Sequence, residues 1–106
     1  MEEAMNRLLL IATLCCLSDQ IFAATGQETC KKISAMAGEA MEARQNGDLL
    51  EDAMESVGDQ SKFSNAMVAK AYSAPIVSSV AKKRVISEFR NDAYAECYRN
   101  LIEPIK

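Results

Sequence analysis

Arg44 and Arg90 are the residues most out of place in this chain, because each falls inside an apolar stripe. Arg44 sits among Ile33, Ala37, Ala40 and Met41, and Arg90 between Cys97 and Leu101 at helical spacing. A guanidinium offers five donors in a planar fork that suits carboxylates and other oxyanions. Three chemistries follow. The aliphatic stem can lie buried while the head reaches water or the carbonyls at a helix C-terminus; the head can pair with an acidic residue across the fold; or one or both arginines can hold a ligand or partner anion. With Asp92 and Tyr94 beside Arg90, the candidate interaction residues are Arg44, Arg90, Asp92 and Tyr94.

The remaining side chains argue against catalysis. The sequence has no histidine, which removes the usual proton shuttle near neutral pH and the commonest metal ligand. Carboxylate pairs such as Glu39 with Glu42, or Asp52 with Glu55, fall at surface helical spacings with no cleft-forming element nearby, and read as solubilising charge. Ser61 beside Lys62, and Ser87 near Lys83, are ordinary polar neighbours, and there is no glycine-rich phosphate loop. No catalytic residue, cofactor site or metal site is expected. Glu88, Asp92 and Glu96 recur every four residues as an acidic ridge, read as a solvated face, with docking of a basic partner as the alternative.

What the other residues must be depends on the first twenty or so. Leu8 to Leu17 is a ten-residue apolar run preceded by Arg7, and the polar Ser18-Asp19-Gln20 leads to small Ala23 and Ala24, the layout of a cleaved export signal. Glu2 and Glu3 are unusual ahead of such a signal, so Met5 is the expected start. The run is too short for a membrane span, which needs roughly 20 apolar residues. Residues 1–23 are therefore read as a signal peptide and 24–106 as one helical domain, exported to the periplasm or secreted.

Export simplifies the cysteines. Cys15 and Cys16 leave with the signal, so Cys30 and Cys97 remain as an exported pair, and a bond between them would tie the start of the mature chain to its end. Such a closure stabilises by roughly 4 kcal/mol on loop-entropy grounds. Removing Glu2, Glu3, Asp19 and Arg7 leaves 12 acidic and 11 basic residues. A near-neutral chain offers no electrostatic case for nucleic acid.

The pattern throughout is helical. Thr25 with Glu28 has the form of a reciprocal N-terminal cap, Cys30, Ile33, Ala37, Ala40 and Met41 form a stripe, and Asn46-Gly47 suits a left-handed stop, giving a helix over 27–45. Asp48, with Glu51 as cap partner, opens a second helix whose apolar side is Leu49, Leu50, Ala53, Met54 and Val57, closed by Gly58. A third covers about 61–73, with Phe63, Met67, Val68, Ala71 and Tyr72, and stops ahead of Pro75. Ser78 or Ser79 caps the fourth, which reaches about Leu101 and carries Ile86, Phe89, Ala93, Cys97 and Leu101 on its apolar face. The expected fold is all-α, a bundle of about four helices closed by Cys30–Cys97.

Met41-Glu42-Ala43-Arg44-Gln45-Asn46-Gly47 and Phe89-Arg90-Asn91-Asp92-Ala93-Tyr94, running on to Cys97, resemble small uncharacterised exported proteins of bacteria and bacteriophages. Those proteins share a signal peptide, an early cysteine, an Arg-Gln-x-Gly helix end and a Phe-Arg-Asn-Asp-x-Tyr-x-x-Cys ending. The resemblance implies localisation and architecture and carries no activity. Four short helices with a cysteine near each end also resemble the layout of secretoglobins, which pair through disulfides between chains around an apolar cavity. The function expected is a non-catalytic exported binding protein whose partner is another envelope or secreted protein. The alternative is a carrier of a small apolar ligand, using the adaptable Met36, Met41, Met54 and Met67.

Overall fold

A computed structural model describes residues Ser18–Glu103, with side chains from Thr25 onward. The apolar run of 8–17, the Met5 start and Pro104 lie outside the described residues. The described residues form four α-helices, α1 (Ser18–Gln45), α2 (Leu50–Ser56), α3 (Lys62–Tyr72) and α4 (Ser79–Cys97), with a π-helical turn over Tyr98–Ile102. Among the described residues there is no strand, and no helix is long and apolar enough to cross a membrane.

α1 is the spine, and α4 packs along it in the opposite direction. Gly26 meets Ile102, Cys30 is bonded to Cys97, and Gly38 meets Arg90, so the partners on α4 fall in number as those on α1 rise. The Cys30–Cys97 disulfide closes within one chain, with Cα atoms 5.5 Å apart. The bond between chains that a secretoglobin-like layout requires is therefore not the one formed. Around it Ile102 completes a small apolar cluster, with Ile33, Tyr94 and Tyr98 packed against it.

The larger core lies at the other end, where Ala40, Met41 and Ala43 of α1 meet Ala53, Val57, Val68 and Ala71. Most of these side chains are small, so the helices approach closely. α1 ends as the sequence predicts. Gly47 takes φ +80°, its N–H donates to the Arg44 carbonyl, and the Asp48 N–H donates to the Ala43 carbonyl, which together close a Schellman motif.

That turn displaces the expected cap of α2. The Asp48 N–H closes α1 and its carbonyl accepts from Tyr72 Oη at 2.8 Å, while the N-cap position of α2 falls to Leu49, with no side-chain capping bond. Only Ala53 and Val57 of the expected apolar side are buried. Leu49 is 62% exposed, and Leu50 is also exposed.

The α1 start also differs from expectation. Instead of beginning at a Thr25 cap, α1 continues back to Ser18, and Thr29 Oγ1 donates to the Thr25 carbonyl inside the helix. Gly26, one residue past the expected cap, is already inside the helix and buried against the Ile102 side chain. The expected cut after Ala23 thus falls within α1.

α3 agrees with its expectation. Ser61 caps it by accepting from the Ser64 N–H, and the turn before it is held open by Gly58 at φ +74°, where a Cβ would stand 1.8 Å from Ser64 Oγ. α4 stops as an α-helix at Cys97, earlier than expected. The following turn is π-helical, with the Glu103 N–H donating to the Tyr98 carbonyl. One extra residue in the turn advances the register by roughly 100°. Ile102 accordingly enters the core in place of Leu101, which is left exposed.

Candidate functional site

The register change matters because Leu101 then lines a groove between α3 and α4. Its volume is about 330 Å³ and its floor runs over Ile33, Phe63, Met67, Phe89 and Leu101, backed by Cys97. Phe63 is 55% exposed and Leu101 41%, large apolar side chains that one core has not covered. α3 places Phe63 there because it carries two stripes: Ser64, Val68 and Ala71 face the core, while Phe63, Ala66, Met67 and Lys70 face the groove.

Polar groups gather on the α4 side. Asp92, Glu96 and Asn100 recur every four residues along the groove wall. Lys70 stands across from them, its Nζ 3.8 Å from Glu96 Oε2 with both side chains exposed, a contact of small energetic weight. The acidic ridge therefore does not face away from the apolar surface as a whole. Asp92 and Glu96 border it, and Glu88, one turn earlier, pairs with Arg84 at 3.8 Å.

No family model, curated protein or solved structure matches this chain.

The two arginines lie elsewhere, and each has a structural account. Arg44 is half-buried; its Nε donates to the Ala74 carbonyl at 2.8 Å, just past the end of α3, and its guanidinium carbon stands 5.5 Å from the centre of the Tyr72 ring. That is the arrangement expected of a buried stem reaching helix-terminal carbonyls. Arg90 lays its stem over Gly38 with its side chain exposed, and among the described residues it makes no ion pair. Tyr94 packs on the Cys30–Cys97 cluster. Of the four candidate interaction residues, only Asp92 borders the groove.

Gln45 had no expected role, yet it is 2% exposed and organises the connector between α3 and α4. Its Nε2 donates to the Pro75 carbonyl at 3.0 Å, and its Oε1 accepts from the Val77 N–H at 2.9 Å. Together with Arg44 it gives three backbone groups of a loop their partners, fixing where α4 begins. The signal available in the sequence was position: one residue past Arg44, Gln45 falls four after Met41 on the core side of α1.

Two titratable groups are perturbed. The Asp59 carboxyl lies below its ordinary value because it accepts hydrogen bonds from Ser61. The Tyr72 phenol lies above its ordinary value, chiefly through burial and then through the nearby Asp48 carboxylate. Neither borders the groove. Among the described residues, no three of His, Cys, Asp or Glu converge on a point that could hold a metal ion.

Proposed function

We propose that this chain is an exported binding protein without catalytic activity, and that the groove between α3 and α4 is where its partner docks. The observation that carries the reading is the exposed Phe63 and Leu101 over an apolar groove of about 330 Å³. Large exposed apolar side chains gathered at one depression mark interaction sites more often than scattered ones do. Export is supported by the signal-like sequence of residues 1–23 and by the Cys30–Cys97 bond, which belongs to an oxidising compartment.

A partner protein suits the groove better than the alternative of a carried small ligand. A carrier encloses most of its ligand's surface, whereas this groove leaves Phe63 more than half exposed. The methionines do not gather around it either: Met41 is buried, Met36 and Met54 pack on the larger core, and only Met67 of the four reaches the groove.

Photo-crosslinking tests the reading. A benzoylphenylalanine at Ala66, on the groove wall, should give a discrete crosslinked species in an exporting bacterial host, and the same residue at exposed Lys83 should not. Equal labelling from both positions, or none from Ala66, would remove the groove as the docking site.

A further inference from the structure

The chemistry of the groove narrows what fits it. Both long walls are α-helices, whose backbone donors and acceptors are paired internally, so an extended strand laid between them would find no backbone partners. The occupant must bring its own paired backbone. A helix does this and offers a row of side chains at three- and four-residue spacing to an apolar trough.

The dimensions agree. Phe63 to Lys70 along α3 spans about two helical turns, roughly 10 Å at 1.5 Å per residue. That length matches a pair of large apolar side chains one or two turns apart on the incoming helix. The groove is too open to hold a small amphiphile out of water.

Charge gives the sign of the partner. Asp92 and Glu96 stand on one wall, and Lys70 stands across from them. Among the described residues Lys70 is the one cation that lines the groove, it already faces Glu96, and Asp92 makes no ion pair. The unbalanced charge at the rim is negative.

Resting on the reading of this chain as a binding protein, we infer that the groove between α3 and α4 receives a basic amphipathic helix of a partner protein. Its apolar side chains would lie over Phe63, Met67, Phe89 and Leu101, and its lysines or arginines would lie along Asp92 and Glu96. Rim charges of this kind act mainly on association rate and salt dependence, while the apolar anchors carry the affinity.

The test uses two capped synthetic helices with the same leucine spacing, one with lysines on the remaining positions and one with glutamates. Calorimetric titration into the exported protein should show the lysine peptide binding at least about tenfold more tightly at low salt, a difference that shrinks as salt rises. Asp92→Asn combined with Glu96→Gln should weaken the lysine peptide about tenfold at unchanged Tm. Phe63→Ser, which removes an apolar anchor from an exposed position of the groove, should abolish binding. Equal affinity for both peptides, or no effect of the Asp92 and Glu96 changes, would overturn the inferred charge of the partner. Binding of dodecylamine that Phe63→Ser blocks, with neither peptide bound, would overturn it in favour of a carried amphiphile. Failure of both peptides alongside a retained crosslink at Ala66 defeats only the basic helix, whereas loss of the crosslink defeats the groove itself.

Discussion

Arg90 lays its aliphatic stem across Gly38, so close that a Cβ at position 38 would stand 2.6 Å from Arg90 Cδ and 2.9 Å from its Cγ. The arginine inside the apolar stripe of α4 is thus a lid over a bare patch of α1, with its charged head in water. Arg90→Lys keeps most of the stem and should change stability by no more than about 0.5 kcal/mol. Gly38→Ala gains about 1 kcal/mol of helix propensity against the displacement of a flexible, exposed stem, so it should shift stability by no more than about 1 kcal/mol, and should stabilise in an Arg90→Ala background. Urea denaturation of Arg90→Lys beside the four proteins of the Gly38→Ala and Arg90→Ala cycle checks both; a large loss from Arg90→Lys would mean that the guanidinium itself is bonded inside the fold.

Gln45 should prove more sensitive than either arginine. Gln45→Leu keeps the volume but leaves the Pro75 carbonyl and the Val77 N–H without their partner, which should cost about 2 to 4 kcal/mol. Hydrogen exchange should locate the damage, with the amides of 74–80 opening first. Uniform acceleration throughout α1 would place the stabilising role elsewhere.

Tyr72 gives a pH dependence with a definite sign. Burial and Asp48 raise its phenol above the ordinary value of 10.0, so the neutral form is favoured by folding. The stabilisation from this group is complete below the unfolded value and is lost as pH rises through the higher folded one. Tyr72→Phe removes the bond to the Asp48 carbonyl and should cost about 0.5 to 1.5 kcal/mol at neutral pH. The gap between wild type and Tyr72→Phe, measured by urea denaturation, should then close above pH 10. A gap that persists there would show that the hydroxyl contributes nothing through its proton.

Processing and the disulfide are checked by mass. Protein recovered from a bacterial periplasm should begin at or near Ala24 and carry one Cys30–Cys97 bond within the chain. Replacing both cysteines by serine removes roughly 4 kcal/mol on the loop-entropy estimate, which for a domain of this size lowers Tm by roughly 15 °C or more. A chain that retains Met5 would contradict cleavage, and a dimer split by reductant would contradict closure within one chain.

The helices were legible because periodicity and caps act over a few residues: Gly47, Ser61 and the stop before Pro75 all behave as their local chemistry dictates. The misplacements arose where tertiary packing outweighed a local signal. At Gly26 the helix packs on Ile102 where a cap was expected one residue earlier, and the Schellman turn takes Asp48 away from α2. The groove was hidden for a related reason. Phe63 and Leu101 sit in apolar patterns that read as core, and only the second stripe on α3 and the π-helical turn after Cys97 turn them outward. Asp92 was legible as a surface charge, but the aromatic floor beside it was not.

The groove, rather than some other exposed apolar surface, should bind the partner. A rival exists at the end of the bundle where α1 stops, with Leu49, Ile76 and Val80 all half-exposed or more. Hydrogen exchange with and without the lysine peptide separates the two. The account predicts slowed exchange confined to 62–72 and 89–101, leaving 48–51 and 75–81 unchanged; slowing confined to the latter segments would contradict it.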